Sequence, residues 1–168
     1  MSLTSRLAAL PAPVRWLTLP AVLLGGIVLL TAAWQVPADV TPPAPRPEAA
    51  GYCAALDKAL PRTVLGHPRE DPSPASPYTA AWGSSPRTVL RCGIDRPGYL
   101  DDDPLRSSPE INDVQWGMSR TADGGYRFVT TLRKAYVEVE VPAGAYPNYS
   151  DPLSSLTDAI KATVPDGL

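Results

Sequence analysis

Glu138 and Glu140, in the run Tyr-Val-Glu-Val-Glu-Val, are the side chains of this 168-residue sequence whose type and spacing best suit chemistry. On a strand, residues i and i+2 share a face, with Cα atoms roughly 7 Å apart. Glycan cleavage needs such an acid and base pair. A solvated strand face explains the same spacing, with the acids paired to Arg127 on a neighbouring strand, and the balance lies there. His67 is the single histidine and sits in the proline-rich run His67–Pro77 with no ligand set beside it. A zinc site and a Ser-His-Asp triad are therefore not expected, and no GxSxG elbow accompanies any serine. Asp101-Asp102-Asp103 lacks the interleaved spacing of a calcium loop and reads as a charged turn. No metal, no cofactor and no catalytic residue beyond the weak Glu138–Glu140 alternative is expected.

Aromatic rings are the other candidates. Tyr78, Trp82, Tyr146 and Tyr149 fall in or beside loops, where they could stack on a sugar or a partner protein. Tyr99 lies in a loop too, whereas Trp116 alternates into a strand face and reads as core. Asn148-Tyr149-Ser150 fits a glycosylation sequon by letters alone.

What must position these residues starts with residues 16–34, WLTLPAVLLGGIVLLTAAW. No charge appears between Arg15 and Asp39. Nineteen helical residues span ~28 Å, close to the hydrocarbon core of a bilayer. Arg6 and Arg15 precede the run, so residues 1–15 are expected in the cytoplasm and everything after Trp34 outside it. The apolar run exceeds a signal peptide's usual h-region of ~7–15 residues, which favours an uncleaved anchor over a cleaved leader. Residues 35–50 hold Pro37, Pro42, Pro43, Pro45 and Pro47 and read as an extended extracytoplasmic stalk.

Residues 51–168 read as one extracytoplasmic domain. Tyr52–Leu60 predicts a helix with Cys53, Leu56 and Leu60 on one face, closed by Pro61. Strands follow at 87–92, from Val114, at 126–132 and at 136–141, with a hairpin at Asp123-Gly124-Gly125. Long loops are expected over 67–77 and 95–113. Asp151-Pro152 opens a last helix carrying Leu153, Leu156, Ile160 and Val164. The expected fold class is α+β, a small antiparallel sheet of about four strands with a helix at each end, preceded by one transmembrane helix. Outside the membrane, Cys53 and Cys92 point to one disulfide that pins the first helix to the first strand. All seventeen acidic residues and thirteen basic ones lie after Val36, a net −4 without a basic stripe, which excludes nucleic acid as a partner.

The landmarks resemble a family of bacterial envelope proteins, domain of unknown function 3515. They are Cys53 ahead of Leu60-Pro61, Ala81-Trp82-Gly83, Val89-Leu90-Arg91-Cys92-Gly93, Val114 with Trp116, Phe128 through Arg133, and Val137-Glu138-Val139 leading to Val141-Pro142. The resemblance implies a membrane-attached or secreted protein of a high-GC Gram-positive bacterium and carries over no catalytic residue. Trp82, Arg91 and Arg133 suit packing or binding equally. The expectation is a non-enzymatic module on the outer side of the cell membrane, bound to an envelope protein or to cell-wall glycan. Its alternatives are a wall hydrolase using Glu138 and Glu140, and an accessory subunit whose anchor contacts a membrane complex.

Overall fold

The computed structural model describes residues 39–83, 86–102 and 109–167. The apolar run 16–34 expected to cross the membrane lies outside them, as do residues 1–15. Among the described residues no helix is long and apolar enough to cross a membrane.

Among the described residues, three helices and eight strands make up an α+β fold. In chain order they are α1 (Pro47–Ala59), β1 (Thr63–Val64), β2 (His67–Pro68), β3 (Thr79–Trp82), β4 (Thr88–Ile94), α2 (Tyr99–Asp102), β5 (Glu110–Ile111), β6 (Val114–Arg120), β7 (Tyr126–Thr130), β8 (Tyr136–Val141) and α3 (Asp151–Thr163). The main sheet is antiparallel with order β3-β4-β8-β7-β6-β5, and β1-β2 is a separate hairpin. The sheet thus has six strands among the described residues, not about four.

Both added strands escape a period-two reading for physical reasons. β3 is buried at all four positions, so its sequence Thr-Ala-Ala-Trp shows no alternation. β5 is two residues long and returns through Asn112 and Asp113, both at positive φ, 49° and 63°. A two-residue turn with both centres left-handed fits a hairpin, and Asn and Asp tolerate it best after glycine. The run 67–77 is likewise not all loop. His67 and Pro68 pair with Val64 and Thr63, and Arg69 bridges to Trp82.

α1 begins at Pro47, five residues before the expected start. Proline suits the first helical position because that residue's N–H has no intrahelical partner in any case, and Glu48 follows in the first turn. The proline-rich stretch expected to stand off as a stalk is, from Asp39 onward, held on the domain. The Asp39 amide donates to Ser73 O at 2.8 Å and its carboxylate pairs with Arg87. Pro45 lies against Gly93, where a Cβ would collide with the proline ring.

One face of the sheet carries Leu90, Cys92, Phe128, Val137, Val139 and Val141. These pack with Cys53 and Leu56 of α1 and Leu153, Leu156 and Ile160 of α3 into the core. Alternation along β8 sends Val137, Val139 and Val141 inward and leaves Tyr136, Glu138 and Glu140 on the opposite face. The Cys53–Cys92 disulfide joins α1 to β4, with Cα atoms 5.5 Å apart. α3 includes Asp151 itself; that carboxylate accepts from the Asn148 backbone N–H at 3.1 Å instead of capping the helix.

Candidate functional site

Glu138 and Glu140 share the outer sheet face, and strand pairing fixes what they meet. Arg91 on β4 is registered with Glu138, and Arg127 on β7 with Glu140. Arg91 Nε donates to Glu138 Oε1 at 2.8 Å, and Arg91 Nη2 bonds the same oxygen. The other oxygen of Glu138 lies 3.5 Å from Arg127 Nε. Arg127 Nη2 donates to Glu140 Oε2 at 2.7 Å, and Arg91 Nη2 is 3.9 Å from that oxygen. The result is a closed lattice of two guanidinium and two carboxylate groups.

Glu138 is not on a solvated face: it is 5% exposed. Part of the outer face is covered, because Leu100 of α2 sits over Gly117, where a Cβ would strike its side chain. Tyr99 lies close enough for Glu138 and Arg127 to act on its phenol, and burial pushes that phenol above its ordinary range. Hydrogen bonding to Glu140 and the two negative charges hold the Arg127 guanidinium firmly charged.

The four aromatic candidates do not converge. Trp82 is core, 1% exposed, and its indole N–H donates to Pro61 O at 3.0 Å. The expectation of an exposed Trp82 fails because β3, although the edge strand of the main sheet, is buried at all four positions, with Arg69 bridging to Trp82 on its open side. Tyr78 packs against the core beside Cys53, Leu56, Leu90 and Cys92. Tyr146 is half-buried, accepts from the Thr88 hydroxyl at 3.0 Å and meets the His67 ring edge-on at 5.2 Å. Tyr149 alone is an exposed ring, at 45%; it stacks on Tyr126 with centroids 4.1 Å apart, and Phe128 lies parallel at 6.1 Å.

Two depressions border these elements. One, about 80 Å³, lies between the start of α1 and the register shift at Cys92–Ile94 near the end of β4, lined by Arg46, Glu48, Arg96 and Lys134 among others. A wider one, about 470 Å³, is bordered by Asp57, Lys58, Arg62, Arg69 and Asp71. Arg69 is engaged there with Asp57 and, at 2.6 Å, with Asp71. Among the described residues no three His, Cys, Asp or Glu side chains converge on a point where a metal ion would sit.

A family described as protein of unknown function (DUF3515) matches residues 14–167. The chain belongs to this family. No curated protein and no solved structure matches it. In this DUF3515 domain the three landmark residues that suited packing or binding are all bonded within the fold. Trp82 and Arg91 are placed as above. Arg133 donates to Val164 O at 3.1 Å and pairs with Asp166 at 3.1 Å, tying the end of the chain to the turn after β7. The α2 cover over the outer face has no period in the sequence: Leu100, which provides it, sits with Leu105 and Ile111 in an acidic, turn-rich run.

Proposed function

We propose that this protein is a non-enzymatic binding module, held at the outer face of a cell membrane by residues 16–34, whose domain engages a component of the envelope. One observation carries the choice over hydrolysis: the oxygens of Glu138 are engaged by Arg91 and Arg127. A general acid must bring a proton to the leaving group, and a general base needs a free oxygen facing water. Glu138, held by two arginines, serves the sheet instead, and without it Glu140 has no acid–base partner on that strand. Removing one partner of a buried ion pair is costly, and after discounting for the half-exposed arginines Glu138→Gln should destabilise the domain by about 1–3 kcal/mol.

Crosslinking in intact cells, followed by identification of what is captured, tests the binding reading. An envelope component recovered on the domain is the expected result. The hydrolase reading makes a different demand. If the purified full chain releases reducing ends from wall glycan and a folded Glu138→Gln/Glu140→Gln variant does not, the binding reading fails.

A further inference from the structure

We infer that Tyr149 is a sugar-stacking platform and that the component engaged is a glycan; this rests on the binding reading above. Four observations lead there. Tyr149 is pre-set: its ring stacks on Tyr126 at an interplanar angle of 22°, while the residue stays 45% exposed. Its support is rigid, because Tyr126 is half-buried in β7 and packed on the core beside Phe128. Hydrogen-bonding groups lie on its supporting ring and next to it in the chain. Arg120 lies 5.0 Å over the Tyr126 ring and donates to its hydroxyl at 2.8 Å, and Asp151 orients Asn148 through the latter's backbone and side-chain N–H groups. Finally, among the described residues the ring is isolated from other large exposed apolar side chains. Leu132 lies beyond the far end of β7, roughly 20 Å away by strand geometry, and Leu65 is at the tip of the β1–β2 hairpin.

Isolation decides the class of ligand. A protein partner needs a contiguous buried patch with several apolar anchors, and a single ring ringed by polar groups does not supply one. A pyranose does fit. Its C–H face carries slight positive charge and suits the negative face of an aromatic ring, while its hydroxyls need polar groups at the rim, such as the Asn148 amide next in the chain. Rigid stacking on Tyr126 means the ring loses little freedom when the sugar lands.

The test is co-sedimentation of the full chain, in detergent micelles, with purified cell-wall glycan stripped of its stem peptides. Tyr149→Phe should bind within about threefold of native, and Tyr149→Ala should bind about tenfold more weakly or worse, with unchanged far-UV circular dichroism. Should alanine loosen Tyr126, Tyr149→Leu asks the same question, covering Tyr126 while offering no flat face. Native-like binding by a folded Tyr149→Ala or Tyr149→Leu overturns the platform and leaves the binding module standing. Absence of glycan binding, with a protein captured in cells, overturns the sugar class alone. Neither glycan nor captured protein overturns both.

Discussion

At the scale of single residues, Glu138 explains more of the molecule than its place on a strand suggests. A carboxylate 5% exposed on the sheet face opposite α1 and α3 requires a cover and partners, and here Arg91, Arg127 and α2 supply them. The shared face of Glu138 and Glu140 and the pairing with Arg127 are legible from strand alternation. Arg91 as the partner of Glu138 is not, because β4–β8 pairing joins strands more than forty residues apart. Tyr99, beside the lattice, yields a pH signature. Burial raises its phenol, so the folded state favours the neutral form. Stability from this group is complete below the unfolded value of about 10 and falls as pH rises toward the folded value. Thermal melts from pH 8 to 11 should show a steeper alkaline loss in the native protein than in Tyr99→Phe. Identical slopes would remove Tyr99 from the account.

Among the elements, those with clean periodicity were legible. β8 and α3 fall within a residue of expectation, since Val137, Val139 and Val141 alternate and Leu153, Leu156 and Ile160 recur at helical spacing. Elements without a period were not. β3 is buried throughout, β5 is too short, and α1 begins in prolines that composition alone reads as a spacer. The segment 39–46 is the sharpest case, a strap across the domain whose fit depends on Gly93. That glycine has φ +85°, and its missing side chain is the space Pro45 occupies. Gly93→Ala should therefore cost more than about 1 kcal/mol, from the left-handed backbone and the lost contact together. Limited proteolysis should cut the variant within 39–46 faster than the native chain, while a cut pattern unchanged between the two would mean the strap is held elsewhere.

For the whole molecule, the disulfide and the helix pair hold a modest core together. Closing the 39-residue span between Cys53 and Cys92 contributes ~4 kcal/mol in the chain-entropy model. Both cysteines are buried, so mild reductant should act slowly on the folded protein, and Cys53→Ser/Cys92→Ser should unfold at a much lower urea concentration. A midpoint unchanged in that variant would make the bridge incidental. The same bond settles where mechanical load goes. A pull arriving ahead of Asp39 peels the strap, runs down α1 and leaves the main chain at Cys53, crossing to Cys92 in the second strand of the sheet. Residues 54–91, with the β1–β2 hairpin and β3 among them, hang outside that route and bear no covalent tension. In an oxidised chain stretched from its two ends, about 130 Å of extended polypeptide stays hidden. It is released only when a thiol attacks the bridge, so the length of this protein under force is set by the redox state of its surroundings.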